Sequence, residues 1–98
     1  MPTYITLIHY TEQGVKTFNE LPRRIEKMRA AAEVVGARLV SYYLTMGQYD
    51  GVVISEAPDD ETVAKIALAT AGRGNLRTET FRAFTEAEAT DLAKELGG

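Results

Sequence analysis

RLVSYYLTMGQYDGVVISE, residues 38–56, predicts a β-hairpin and, with it, the fold of the chain. Two runs rich in β-branched and aromatic residues, 38–46 and 49–56, are separated only by Gly47-Gln48. A two-residue connection with glycine first is typical of a type II′ turn, whose twist matches the strands that it joins. The short turn also determines which residues of the two strands face each other.

The segment before the hairpin predicts a strand followed by a helix. Residues 3–11 have the composition of a strand, and Gly14 prevents the strand from continuing further. A helix is predicted at residues 20–35, closed by Gly36, because Pro22 is tolerated only in a first turn and because apolar residues recur at steps of three and four. The apolar stripe consists of Phe18, Leu21, Ile25, Met28, Ala32 and Val35.

The segment after the hairpin predicts a helix, a strand and a final helix. Asp59 can cap the second helix, which Gly72 ends, and Thr85 opens the last helix with a capping box. Residues 75–84 between them predict the fourth strand. The second helix is expected to bury Val63, Ile66, Ala67 and Ala71, and the last helix Ala89, Leu92, Ala93 and Leu96.

The order β-α-β-β-α-β indicates two right-handed split βαβ units. The predicted fold class is therefore α+β and ferredoxin-like, with a four-stranded antiparallel sheet and an extra C-terminal helix. Residues 1–98 are expected to form a single domain, since the sequence has no repeat, linker or low-complexity stretch.

Both faces of the predicted sheet receive large apolar side chains. The hairpin register predicts one face with Met46, Tyr49, Leu44, Tyr42, Val53 and Val40, and another with Tyr43, Val52, Ile54, Leu39, Thr45 and Asp50. In the first strand, Ile5 and Leu7 point one way while Tyr4 and Ile8 point the other. Two helices cover only one face, so a second copy of the chain or the C-terminal helix should cover the other. Sheet-to-sheet dimerisation is favoured, because the last helix is short and only modestly apolar.

Composition excludes several classes of protein. The chain has no cysteine and one histidine, so thiolate metal sites and a multi-histidine site within one chain are excluded, and neither a metal nor a cofactor is predicted. A net charge of -3 argues against nucleic-acid binding. The only basic cluster, consisting of Arg23, Arg24, Lys27 and Arg29, is interpreted as a solvated helix face. No segment predicts a membrane span or a leader, so a cytoplasmic protein is expected.

The sequence resembles the GYD-domain proteins, a bacterial and archaeal family, over nearly its whole length. The resemblance rests on four segments in matching order: residues 2–7 (PTYITL), 42–50 (YYLTMGQYD), 56–60 (EAPDD) and 74–80 (GNLRTET). It implies a dimeric α+β barrel in which the sheets of two subunits face each other. Barrels of this type include cofactor-independent oxygenases, haem-handling enzymes and small-ligand regulators, but the resemblance carries over no catalytic residue.

Candidate site residues converge at one end of the predicted sheet. The end of the first strand, the hairpin tip and the start of the fourth strand lie there, and a cleft between them could hold a small polar or aromatic ligand. His9 is a weak catalytic candidate as a proton acceptor that Asp50 would orient, although a strand-end histidine and a turn-capping aspartate are the simpler interpretations. The predicted ligand-binding residues are Tyr10, Tyr42, Tyr43, Gln48, Tyr49, Arg73, Asn75 and Arg77.

Three functions fit these observations, and the residues do not establish whether any reaction is catalysed. The favoured hypothesis is a homo-oligomer that binds a small molecule at the hairpin end or in the barrel interior. The alternatives are an assembly module without chemistry and a cofactor-independent oxygenase- or isomerase-like enzyme for a small aromatic compound. The expected partners are a second copy of the chain and a small-molecule ligand.

Overall fold

Residues 1–97, which the computed structural model describes, contain the predicted elements in the predicted order, together with one short helix that was not predicted. Gly98, the last residue of the predicted domain, lies outside the described residues. The strands are β1 (Thr3–Tyr10), β2 (Arg38–Leu44), β3 (Gly51–Glu56) and β4 (Leu76–Ala83). The α-helices are α1 (Glu12–Lys16), α2 (Leu21–Val34), α3 (Asp60–Ala71) and α4 (Glu86–Glu95), and a 3₁₀ turn at Phe18–Glu20 leads into α2.

The four strands form one antiparallel sheet in the order β2-β3-β1-β4. β1 lies inside the sheet and pairs with both β3 and β4 along its length. This order places two helix crossovers on one face, and it confirms the predicted ferredoxin-like α+β fold.

The hairpin between β2 and β3 has the predicted register next to the turn, from the Leu44–Gly51 pair to the Ser41–Ile54 pair, but its ladder is shorter at the tip. Leu44 pairs with Gly51, and the Thr45 N–H donates to the Asp50 carbonyl at 2.9 Å. Residues 46 and 49, which were predicted to belong to the two strands, therefore lie in the loop between them. Gly47 has a φ of +106°, a conformation that glycine adopts readily and that other residues rarely do. A glycine with positive φ is therefore present at the tip, as predicted, but the connection between the strands is longer than the two residues of the predicted type II′ turn.

The faces predicted for Leu39 and Val40 are wrong, because a β-bulge lies between Leu39 and Ser41. Leu39 pairs with Ser55 and Ser41 pairs with Ile54, so the extra residue is Val40. Leu39 consequently joins the buried cluster around Val53, on the face to which Val40 had been assigned, whereas Val40 is exposed. The simple alternation of a regular strand had placed these two residues on the opposite faces.

The core lies between the sheet and the helices α2 and α3. It consists of two clusters: Tyr4 with Ala32, Ala37 and Ala57, and Ile8 with Leu39, Val53 and Leu76. Val63 and Ile66 of α3 pack against the first cluster and Met28 of α2 against the second, as their helical spacing predicts. This face is called the helix-covered face below.

The opposite face of the sheet is apolar and has no helix over it. On this open face, Ile5 lies between Ile54 and Phe81, and Leu7 lies between Val52 and Glu79. Tyr43 extends the second row on the far side of Val52. The side chains of Tyr43 and Phe81 are about half exposed, at 57% and 47%. The prediction of two apolar faces is thus confirmed.

Helix α4 does not cover the open face. Its capping box is present as predicted, with the Glu88 N–H donating to Thr85 Oγ1 and the Thr85 N–H to Glu88 Oε1. The predicted buried contacts are wrong, because Ala89, Leu92, Ala93 and Leu96 are all exposed within the single chain. Capping determined where α4 begins, but it did not provide a surface against which the apolar residues could pack.

Candidate functional site

The sheet divides the predicted candidate residues into two groups. The end of β1, the hairpin tip and the start of β4 do meet at one end of the sheet. Successive residues of a strand point to opposite faces, however, so the candidates cannot all line one cleft. His9 and Tyr49 meet on the open face, whereas Tyr10 and Tyr42 lie on the helix-covered face. The prediction that Tyr49 shares a face with Tyr42 and Val53 is wrong, because β3 begins only at Gly51 and strand alternation does not extend to Tyr49.

The open-face group is centred on His9. Its imidazole lies beside the Tyr49 ring, with centroids 4.8 Å apart, and His9 Nε2 is 3.8 Å from Glu79 Oε2. A hydrogen bond to Glu79 raises the pKa of the Tyr49 phenol above its usual value. Arg77 stands opposite His9 across the β1–β4 ladder. The group therefore combines an aromatic surface with acidic and basic side chains at the margin of the open face.

Asp50 supports the backbone, and Glu79 is the carboxylate next to His9. Asp50 Oδ2 accepts the Tyr10 N–H at 3.0 Å, and the Asp50 N–H donates to the Ile8 carbonyl at 2.8 Å. Asp50 thus caps a backbone N–H group, as its simpler interpretation held, but that group belongs to β1 and not to the hairpin turn. The sequence did not predict Glu79 beside His9, because its position opposite Leu7 follows only from the β1–β4 pairing.

Tyr10 and Tyr42 form a structural pair under the helices. Their hydroxyl oxygens are 2.7 Å apart, and the Tyr10 ring packs edge-on against Phe18. Burial, and then the hydrogen bond to Tyr42, raise the pKa of Tyr10. Of the other candidates, Tyr43 lies on the open face, and Gln48 is exposed at the hairpin tip.

Arg73 and Asn75 lie on the helix side, in the loop between α3 and β4. There they line a cleft with residues of α1 and α2. Gln13 Nε2 donates to Asn75 Oδ1 at 3.0 Å, which ties α1 to this loop. These two candidates are therefore separated from His9 and Tyr49.

A small apolar cavity lies inside the domain, between the sheet and the helices. Its volume is about 70 Å³, and Ile8, Met28, Val53 and Ile66 are among its lining residues. Neither His9 nor Tyr49 contributes to it. Pockets for organic ligands usually occupy about 300–1,000 Å³, so this cavity is too small to serve as such a site.

The fold and the arrangement of its faces define a small ferredoxin-like α+β domain. The GYD domain family matches residues 4–93, and the chain belongs to that family. A relative from Thermus thermophilus is 38% identical over 89 residues, which cover 90% of this chain and 94% of the relative. That relative is named "glutamine synthetase and cystathionine beta-lyase binding protein".

Two solved structures share the fold at low sequence identity. TTHA0845 from Thermus thermophilus has a TM-score of 0.55 at 22% identity, covering 87% of this chain and 95% of that one. FFRP-DM1 has a TM-score of 0.56 at 20% identity, covering 86% of this chain and all of the other. Within residues 1–97, no helix is both long and apolar enough to cross a membrane.

Proposed function

We propose that this GYD-domain chain is a cytoplasmic interaction protein that associates with itself through the open face of its sheet and binds other proteins. The observation that carries the proposal is the apolar centre of that face, which no helix within residues 1–97 covers, because α2 and α3 pack on the other face. This centre consists of Ile5, Leu7, Val52 and Ile54. The 38% identical relative, which is named for binding two enzymes, supports an interaction role.

The energy of burial favours covering the open face. Full burial of one large aliphatic or aromatic side chain contributes about 1.5–3 kcal/mol. The central residues of the open face are already partly buried, so each gains only part of this amount. Several such gains together are still a substantial part of the net stability of a domain, about 5–15 kcal/mol. Since α4 is exposed and does not fold across the face, the occupant best matched to it is the same face of a second copy.

The self-association is tested by light scattering on Ile54→Glu. Ile54 lies beside Ile5 near the centre of the open face, where a carboxylate would be desolvated in a sheet-to-sheet interface. The unaltered protein should have at least twice the 10.8 kDa mass of one chain, and the variant should have the mass of a single chain. Leu68→Glu is the matched control, because Leu68 is 74% exposed on α3 and lies outside the open face.

A single-chain mass for the unaltered protein would contradict the proposed association. An unchanged oligomer in Ile54→Glu would show instead that copies meet through another surface. Circular dichroism of both variants distinguishes dissociation from unfolding.

Protein binding is tested with the two enzymes named for the relative. Purified glutamine synthetase and cystathionine β-lyase from the source organism are passed over the immobilised protein, with an unrelated acidic protein as the reference. Saturable binding of either enzyme supports the interaction role. Absence of binding by both enzymes, with the protein correctly folded, would argue against partners of this kind.

A second candidate function is the binding of a small ligand at the hairpin end, facing the interior between two sheets. The specific observation is the His9, Tyr49 and Glu79 group, which presents an aromatic surface and charged atoms at the margin of the open face. Native mass spectrometry of protein purified from its source measures copy number and any retained small molecule together. A ligand that is retained by the unaltered protein and lost in Tyr49→Ala would support this function.

A further inference from the structure

We propose that the cleft between α1, α2 and the α3–β4 loop is a binding site for a compact phosphorylated molecule. The cleft has a volume of about 220 Å³. This is below the range usual for drug-sized ligands, but it can hold a compact anion such as pyrophosphate. Its lining includes Arg23, Arg24, Lys27 and Arg73 together with the amide side chains of Gln13 and Asn75. In the sequence, the basic residues of α2 and the 73–75 loop are about 50 positions apart and looked unrelated.

The charge in the cleft is strongly positive although the chain as a whole has a net charge of -3. Four cationic side chains line it against a single carboxylate, that of Glu20. Glu20 is matched to Arg24, with Oε2 3.7 Å from Arg24 Nη2. The ion pairs found among residues 1–97 do not involve Arg23, Lys27 or Arg73. Three positive charges are therefore left for a ligand.

The walls of the cleft are held in place before any ligand binds. Arg24 donates to the carbonyl of Gly14 at 3.2 Å and to the Thr17 hydroxyl, which anchors it across α1. On the opposite wall, Thr11 Oγ1 donates to the Gly74 carbonyl at 2.7 Å. A preorganised site loses less conformational entropy on binding than a mobile one.

Gly14 allows α1 to approach the loop this closely. A Cβ atom at this position would lie 1.9 Å from the carbonyl oxygen of Asn75, so any other residue would push the two walls apart. The Thr11 N–H also donates to this same carbonyl, at 3.1 Å. The short distance between α1 and the loop therefore requires glycine at position 14.

The chemistry of the cleft favours phosphate over other occupants. Guanidinium groups bind phosphate oxygens through forked, charge-assisted hydrogen bonds, and several positive charges match a group that carries two or more negative ones. A single carboxylate would leave most of the positive charge unmatched. The concave shape, built from three separate elements, suits a compact molecule better than the acidic surface of a protein.

The experiment is calorimetric titration of the purified protein with pyrophosphate in a buffer free of phosphate. Arg73→Gln and Lys27→Gln should each weaken binding about tenfold, the loss expected when one charge-assisted contact is removed. Arg29→Gln is the matched control, because it removes the same charge from α2 at a position that does not line the cleft. It should bind as the unaltered protein does.

Further titrations identify the class of ligand. Succinate should bind much more weakly than pyrophosphate, and an acidic peptide should neither bind more tightly than pyrophosphate nor compete with it. Equal weakening by Arg29→Gln and Arg73→Gln would overturn the proposal, since it would show only general charge attraction. Absence of pyrophosphate binding, or preference for the peptide, would overturn it as well.

The cleft lies on the helix side of the sheet, so this proposal does not depend on self-association. Ile54→Glu should bind pyrophosphate with unchanged affinity even if its copies separate. Gly14→Ala, which keeps every charged group, should weaken binding by moving the walls apart. Circular dichroism establishes that both variants are folded before they are titrated.

Discussion

The two faces of the sheet are built from similar residues but differ in what covers them. On β1, Tyr4 and Ile8 are 3% and 1% exposed beneath the helices, whereas Ile5 and Leu7 on the open face are only partly buried. Residues two positions apart share a face, so the same strand contributes equally to both. A row of apolar side chains on one face of a strand therefore indicates that covering this face is favourable, but not which partner covers it.

Ile8→Ala should produce the largest loss of stability. Ile8 is almost fully buried between β1 and its neighbours, and removing its methyl groups leaves a cavity that costs about 2–5 kcal/mol. Urea denaturation should show this loss at every protein concentration, because the contacts lie within one chain. A loss that disappears on dilution would show that the helix-covered face is not an independent core.

Leu7→Ala is the matched change on the open face, at the adjacent position of the same strand. If the open face forms the proposed interface, this side chain contacts a second copy at high protein concentration, and we expect a smaller loss there, about 1–3 kcal/mol. On dilution the unaltered protein should approach the variant in stability. Equal losses at all concentrations would indicate that Leu7 is buried by its own chain.

Glu79→Gln should have the smallest effect, at the polar margin of the open face. The hydrogen bond to Glu79 and its negative charge raise the pKa of Tyr49, so the variant should ionise this phenol closer to the usual value of 10.0. A raised phenol pKa contributes stability below pH 10, and this contribution is lost as the pH rises through the folded value. Ultraviolet titration of tyrosinate, with Tyr49→Phe to identify the signal, measures the change. If Glu79→Gln left the tyrosinate titration of Tyr49 unchanged, Glu79 would not be the cause of the raised pKa.

The elements were predictable because local chemistry specifies them. The cap at Asp59, the capping box at Thr85 and Glu88, and the glycine turn at Gly47 all appear where they were predicted. Helix α1 was missed, because a five-residue helix has too short an apolar period to recognise. Its signal was the Thr11 side chain, which accepts the N–H of Gly14 at 3.1 Å as an N-cap.

The candidate site was less predictable, because its residues come from separate parts of the chain. The topology correctly placed His9 near the hairpin tip, but only the β1–β4 register placed Glu79 beside it. The bulge at Val40 exchanged the predicted faces of two residues, and no residue type in that strand signals a bulge. From the sequence, the basic residues of α2 are interpreted as a solvated helix face. Only the tertiary structure shows that the loop at Arg73 lies beside them.

The sequence alone determined the order of the four strands and three longer helices, the register of the hairpin next to its turn and the presence of apolar residues on both faces of the sheet. These features follow from interactions between residues close together along the chain. Only the tertiary structure decided that α4 leaves the open face uncovered and that Glu79, rather than Asp50, lies beside His9. It also decided that a basic cleft forms where α1, α2 and the α3–β4 loop meet. Such contacts join residues far apart in sequence, and they depend on how whole elements pack rather than on local preference.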